Sequence, residues 1–214
     1  MTEKLYDISG RIKDFDCLVL RCDLSDGKYL IETDKTAFFP ESAGQCGDTG
    51  TIGDAVITDT VYDGDRIVHI SGSPLEVGKR YSARLDYAPR YRRMQNHTGE
   101  HIVSSVMHRR FGFSNVGFHI GEREMTFDFD GVITPEQMKE VEDEANEISA
   151  KNVAVKAYYP SESALAALDY RSKGELDGRV RIVEIEGIDL CACCAPHVER
   201  TGEVGMIKIL GFIH

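Results

Sequence analysis

Short apolar runs separated by turn signals fill the first 85 residues of the chain. One pair of runs, at 17–20 and 29–31, flanks Asp26-Gly27, and another pair, at 55–57 and 67–70, flanks Asp63-Gly64. Asp-Gly between apolar runs is typical of tight β-hairpin turns, and the runs have the length of strands. We therefore predict that residues 1–86 form a small antiparallel β-sheet or β-barrel domain.

The pattern becomes helical after Pro89, because proline is favoured at the first turn of a helix. Beyond it, residues that recur at steps of three and four share one helix face: Met94, His97, His101, Ser105 and His108. Gly112 marks the predicted end of this helix, since glycine suits the position after a helix C-terminus.

A second helix is predicted to begin beside a capping sequence. Thr134 suits the N-cap, Pro135 the first helical position, and Gln137 completes a capping box. Strand-like runs surround this helix, at 116–120, 125–129, 153–159, 180–185 and 205–213. This mixture predicts an α+β domain over residues 87–214, so that the whole chain belongs to the α+β class.

Composition narrows the class of protein. The 25 Lys and Arg against 36 Asp and Glu give a formal net charge of −11, and the 42% hydrophobic content is ordinary for a globular protein. No apolar run approaches the roughly 20 residues of a membrane helix, and no apolar segment near Met1 suits a signal peptide. We expect a cytoplasmic protein with no membrane partner, and no feature indicates an obligate protein partner.

Positive charge is nevertheless concentrated between residues 84 and 110. The arginines there are Arg84, Arg90, Arg92, Arg93, Arg109 and Arg110. A local basic face can contact phosphates even when the net charge is negative. The pattern alone does not distinguish such a face from ordinary solvated arginines.

Half of the six cysteines lie close together, at Cys191, Cys193 and Cys194. A disulfide framework is not expected without a secretory signal. His197 follows this group. Cysteines beside a histidine in such a chain favour a metal-binding or catalytic role.

Two histidines one helical turn apart strengthen the metal hypothesis. His97 and His101, at i and i+4, can both reach one ion, and Cys193 with His197 forms a second pair in a predicted turn. Two such pairs suit tetrahedral zinc. The metalloprotease motif fails, since Thr98 stands where the glutamate base belongs. Spacing leaves Cys191 and Cys194 as competing thiolates, and it does not separate a structural zinc site from a catalytic one.

A third feature is the segment 36–50, which is dense in small residues and turn formers. One interpretation is a simple connecting loop. The other is a loop whose backbone approaches a ligand closely, with Thr36 and Gln45 as polar anchors. It is not a phosphate-binding P-loop, because the Gly-Lys-Ser/Thr ending is absent.

Together these motifs resemble the free-standing alanyl-tRNA editing proteins of the AlaX type, which are similar to the editing domain of alanyl-tRNA synthetase. The resemblance spans nearly the whole chain. It is carried by the segments 38–41, 44–50, 96–101, 179–183, 193–198 and 201–205.

The resemblance implies a zinc-dependent deacylase that edits mischarged tRNA for alanine in trans, chiefly the seryl ester, with the glycyl ester as a further candidate. It implies an N-terminal β-barrel and a C-terminal α+β editing domain. It also implies that the zinc ligands are His97, His101, Cys193 and His197, of which His101 and Cys193 are assigned as catalytic.

The resemblance also suggests substrate contacts. Thr36 and Gln45 would act in catalysis and, with Gly44, line the aminoacyl pocket, whereas Arg92 and Arg93 are candidates for contacting the acceptor stem. The chain departs from the family pattern at Ser42-Ala43 and at Ala195-Pro196. Three alternatives remain open: editing of mischarged threonine tRNA, a non-catalytic zinc module that binds tRNA, and a metallohydrolase of small esters or amides.

Overall fold

The protein is described by a computed structural model that covers residues 2–121, 124–172 and 178–212. Strands outnumber helices, and the predicted α+β class is confirmed. The chain divides into two compact units, Met1–Arg92 and Arg93–His214. No helix among the described residues is long and apolar enough to span a membrane.

The first unit is built around an antiparallel β-barrel. Its elements in chain order are β1 (Glu3–Lys4), α1 (Leu5–Ile8), β2 (Asp14–Ser25), β3 (Lys28–Thr33), β4 (Lys35–Thr36), β5 (Gly50–Ile52), β6 (Ala55–Asp63), β7 (Arg66–Ser71) and β8 (Arg80–Leu85). Six strands pair in the order β2-β3-β7-β6-β5-β8, and β8 pairs with β2 to close the barrel. Strands β1 and β4 form a separate parallel pair.

Local sequence explains the hairpins of this barrel. Asp26 and Gly27 both adopt positive φ angles, of 50° and 76°, between β2 and β3. A two-residue hairpin turn with two positive φ angles matches the twist of the strands that it joins. Alternate strand residues fill the interior, where the fully buried side chains include Val19, Ile31 and Ile57.

The division between the units falls inside helix α2 (Tyr87–Phe111), after Arg92. The remaining elements are β9 (Asn115–Ile120), β10 (Met125–Phe129), α3 (Pro135–Ala150), β11 (Val155–Tyr158), α4 (Glu162–Leu165), β12 (Ile182–Ile185), β13 (Asp189–Ala192) and a 3-10 turn (Thr201–Glu203). Strands β9 and β10 form a hairpin, and β11, β12 and β13 form an antiparallel sheet. The core of the second unit includes Ile102, Val106, Val141 and Val183.

The start of α3 agrees with its sequence signal. The Thr134 hydroxyl accepts a hydrogen bond from the Gln137 backbone N–H, and the Gln137 side chain accepts one from the Thr134 N–H. Both bonds satisfy donors that a helix start leaves unpaired.

One predicted strand is wrong. Residues 205–212 form no strand, and Ile213 lies outside the described residues. The Ile207 carbonyl accepts a hydrogen bond from Nδ2 of Asn146, and the Ile207 N–H donates one to Oδ1 of the same side chain. The N–H of Ile209 donates to Glu142. Side chains of α3 therefore take the place of a strand partner.

Candidate metal centre

Helix α2 supplies the first half of a buried histidine and cysteine cluster. His97 and His101 lie one turn apart, and each is only 1% exposed. Their ring centroids are 5.5 Å apart, so both imidazoles face the same volume.

The loop after β13 supplies the second half. The Cys193 backbone N–H donates to the Arg181 carbonyl at 3.0 Å. In return, Nη1 of Arg181 donates to the carbonyls of Cys193 and Ala195, at 3.1 and 2.8 Å. A buried guanidinium thus holds the backbone from which Cys193 and His197 project.

The four side chains converge. One potential ligand atom from each of His97, His101, Cys193 and His197 lies within 4.8 Å of all the others. Sγ of Cys193 is 3.5 Å from Nε2 of His97 and 3.5 Å from Nε2 of His197. Tetrahedral zinc with bonds of about 2.0–2.3 Å separates its ligand atoms by about 3.3–3.8 Å, so these two distances fit.

The donor set also fits zinc, since imidazole and thiolate are its preferred ligands. Of the three neighbouring cysteines that spacing left open, Cys193 is the one in the cluster. Cys191 lies on β13, and Cys194 is exposed.

A threonine on α2 positions His197. Oγ1 of Thr98 is 3.0 Å from Nδ1 of His197 and accepts a hydrogen bond from the Val198 N–H at 3.3 Å. Since Nε2 of His197 faces Cys193, the Thr98 contact leaves Nε2 turned towards the cluster. Hydrogen bonds of this kind fix the orientation and tautomer of histidine ligands.

Two acidic side chains lie beside His101. Asp189 Oδ2 is 3.8 Å from its Nδ1, and Glu100 Oε2 is 3.9 Å from its Nε2. Arg171 binds Asp189 through two hydrogen bonds, of 2.8 and 2.7 Å. Burial lowers the pKa of Arg171, but bonding to Asp189 outweighs burial and raises this pKa above its usual range.

Glu100 is fully buried and belongs to a polar network. Its Oε1 accepts hydrogen bonds from the Ser104 hydroxyl and from Nδ2 of Asn115, the latter at 2.6 Å. These bonds stabilise a carboxylate that would otherwise be costly to bury. Carboxyl oxygens of Glu100 and Asp189 thus lie on two sides of the His101 ring.

Burial strongly raises the pKa of the Cys193 thiol above its usual range. The isolated thiol is therefore protonated at neutral pH. A cysteine must lose this proton to bind a metal, so metal binding here is coupled to proton release.

The residues predicted to contact the aminoacyl group lie in the first unit. Thr36 is on β4, and Gln45 follows it in the loop that leads to β5. Both are buried, whereas Gly44 is exposed. Ser42 and Gln45 exchange backbone hydrogen bonds around Ala43 and Gly44, which have φ angles of 52° and 72°.

The arginines between residues 84 and 110 differ in environment. Arg92 is exposed and Arg93 is half-buried, both on α2. Arg90 is fully buried against Asp48, which removes it from the set that could contact tRNA. Glu144 pairs with Arg109 and Arg110, and Asp14 pairs with Arg84.

Several site residues escaped the sequence analysis. The contacts of Arg181 and Asp189 join residues that are distant in sequence, which spacing along the chain does not indicate. Glu100 stands inside the 96–101 motif, but its bond to Asn115 could not be read from that motif. Thr98 could have been found, because the position after a helical histidine ligand belongs to the same motif. The buried His69 could also have been found, because it is a polar residue within the otherwise apolar run of strand β7.

The chain thus combines a β-barrel unit with an α+β unit. A cluster of three histidines and one cysteine in the second unit makes it a protein with a candidate zinc site. Residues 180–212 match the family described as the threonyl and alanyl tRNA synthetase second additional domain. The chain is 35% identical to the alanyl-tRNA editing protein AlaX-M of Methanosarcina mazei, over 98% of this chain and 90% of that protein. The AlaX-M protein of Saccharolobus solfataricus is 36% identical, over 98% and 92%.

The alanine–tRNA ligase of Ignicoccus hospitalis is 33% identical over 98% of this chain but only 24% of the ligase. The similarity therefore extends to one part of a much longer enzyme. The chain belongs to the family of the alanyl-tRNA editing proteins AlaX-M.

Proposed function

We propose that this protein is a zinc-dependent deacylase that removes serine from mischarged tRNA for alanine, with glycine as a further substrate. The observation that supports this proposal most is the convergence of three imidazoles and one thiol within 4.8 Å. The names of the AlaX-M relatives supply the substrate class, alanyl-tRNA editing. We place this activity in the cytoplasm.

In this proposal His97, His101, Cys193 and His197 hold the zinc ion. When bound, zinc supplies Lewis acidity, which polarises an ester carbonyl and acidifies water. In this proposal Thr98 and Arg181 keep the loop ligands in place. Cys193 is half-buried, whereas His97, His101 and His197 are buried.

Thr36 and Gln45 are proposed to act on the aminoacyl group, and Gly44 lies in the same loop. A site that hydrogen-bonds a hydroxyl can reject an analogue without it by about 10⁴-fold, because buried polar groups are then left unpaired. Discrimination between serine and alanine, which differ by one hydroxyl, is therefore within the reach of such a pocket. Arg92 and Arg93 are proposed to contact the phosphates of the acceptor stem.

A non-catalytic zinc module is the second candidate, since four protein ligands are typical of structural zinc sites. The family description covers both threonyl and alanyl synthetases, whereas the AlaX-M relatives favour alanine.

One experiment separates these functions. Zinc-loaded protein is incubated with seryl-, glycyl- and alanyl-tRNA for alanine, and with seryl-tRNA for threonine, and amino acid release is measured. We expect rapid serine release from tRNA for alanine, little alanine release, and loss of activity in His101→Ala. Binding without release would support the structural module, and preference for the threonine tRNA would support the other editing class.

A further inference from the structure

The barrel contains a buried histidine that the proposed metal chemistry does not involve. His69 on β7 is 0% exposed, and both of its ring nitrogens are hydrogen-bonded. Nδ1 lies 2.8 Å from the Ile31 carbonyl oxygen, and Nε2 lies 2.8 Å from Oγ1 of Thr36. The Phe38 ring packs edge-on against the imidazole at 5.2 Å. The ring is therefore fixed in both position and orientation.

The partners of His69 determine the direction of each hydrogen bond. A carbonyl oxygen only accepts, so Nδ1 carries a proton and donates it to Ile31. Burial lowers the pKa of His69 to about 4, which keeps the ring neutral at physiological pH. In a neutral ring with Nδ1 protonated, Nε2 is an acceptor. The Thr36 hydroxyl must therefore donate to Nε2 of His69.

This direction limits what Thr36 can offer to a ligand. A hydroxyl has one donor proton and two acceptor lone pairs. The proton is taken by His69, and one lone pair accepts the Phe38 backbone N–H at 3.0 Å. Within the described part of the chain, one lone pair of the Thr36 hydroxyl is left. Thr36 can then accept a hydrogen bond from a ligand but cannot donate one.

We propose that His69 is a positioning residue that fixes the Thr36 hydroxyl as an acceptor, so that the pocket favours an aminoacyl side chain carrying a hydrogen-bond donor. Serine carries such a donor, whereas alanine and glycine do not. This inference rests on the proposed function, in which Thr36 lines the aminoacyl pocket. Without His69 the Thr36 hydroxyl is free to rotate, and its preference for a donor is lost.

Selectivity is the first test. The kcat/KM for amino acid release from seryl- and glycyl-tRNA is measured for zinc-loaded wild type, His69→Phe, Thr36→Val and the double variant. We expect the ratio of seryl to glycyl kcat/KM to fall by about 10- to 100-fold in each single variant. In the double variant this ratio should fall no further, since both changes remove the same interaction.

Thr33→Val serves as the matched control. Thr33 is a buried threonine of the same unit, and its hydroxyl donates to the Lys35 carbonyl at 3.0 Å. The ratio of seryl to glycyl kcat/KM in Thr33→Val should equal that of wild type. An equal loss of both activities in His69→Phe would mean that His69 supports only the fold, and it would overturn the proposal. An additive loss in the double variant would also overturn it.

A spectroscopic measurement tests the hydrogen-bond direction independently of turnover. In ¹⁵N-histidine-labelled protein, the resonances missing in His69→Phe identify His69, and their shifts report the tautomer. We expect protonated Nδ1 and unprotonated Nε2, and the opposite tautomer would overturn the proposal in an active enzyme. If wild type releases neither serine nor glycine from any tRNA, the proposed function itself is wrong, and the selectivity role of His69 is then wrong as well.

Discussion

At the scale of single residues, Thr98 connects the two halves of the candidate metal centre. It lies on α2 directly after His97, yet its hydroxyl contacts Nδ1 of His197 and the N–H of Val198. One oxygen thereby orients a candidate ligand, His197, and anchors the backbone of the loop that carries it. A side chain that never touches the metal can therefore determine metal affinity.

Thr98→Val tests this role because it removes the oxygen and preserves the volume. We expect the zinc affinity, measured by competition with a chelator, to fall by about 10- to 100-fold. Thr98→Ser keeps the hydroxyl and should bind zinc nearly as wild type does. Unchanged affinity in Thr98→Val would show that the hydrogen bond to His197 is dispensable.

His69 gives a second residue-scale prediction, on stability and pH. Burial lowers its pKa from 6.5 to about 4, so the unfolded chain binds the proton more tightly than the folded protein. Stability is therefore lost as the pH falls from about 6.5 towards 4. Relative to His69→Phe, the free energy of unfolding of wild type should drop by about 3 kcal/mol between pH 7 and pH 4. Denaturant titrations at each pH measure it, and a pH-independent difference would contradict the assignment.

At the scale of elements, a buried ion pair between Asp48 and Arg90 connects the loop after β4 to the start of α2. Nε of Arg90 donates to Asp48 at 2.9 Å, and Nη2 donates to the Ala37 carbonyl at 2.7 Å. Asp48 also accepts the Phe39 N–H at 2.7 Å, and its backbone carbonyl accepts the Thr60 hydroxyl. The pair thus fixes the segment that contains Gln45.

Asp48→Ala should therefore be strongly destabilising, because it leaves the Arg90 charge buried without its partner. We expect a loss of about 3–5 kcal/mol in the free energy of unfolding. Arg84→Ala, which breaks an exposed pair with Asp14, is the matched control and should change stability little. A small effect of Asp48→Ala would mean that water or another side chain compensates the arginine.

At the scale of the whole molecule, the sequence predicted features that depend on neighbouring residues. The Asp26-Gly27 hairpin, the Thr134 capping box and the pairing of His97 with His101 all follow from spacing along the chain. The strand predicted at 205–213 does not form over residues 205–212, because side chains of α3 bond its backbone: Asn146 bonds Ile207, and Glu142 bonds Ile209. Spacing also could not distinguish Cys193 from its neighbouring cysteines. The conformation of that loop depends on Arg181, which lies in another segment and bonds the loop backbone.

The most direct measurement is zinc-dependent serine release by protein first stripped of metal. Our proposal predicts that release from seryl-tRNA for alanine rises in proportion to added zinc and reaches its plateau at about one ion per chain, since the four side chains of the cluster would hold one ion. The His97→Ala variant should stay inactive at the same zinc concentration. Full activity in metal-free wild type, or wild-type activity in His97→Ala, would contradict the central claim that this cluster holds the ion required for deacylation.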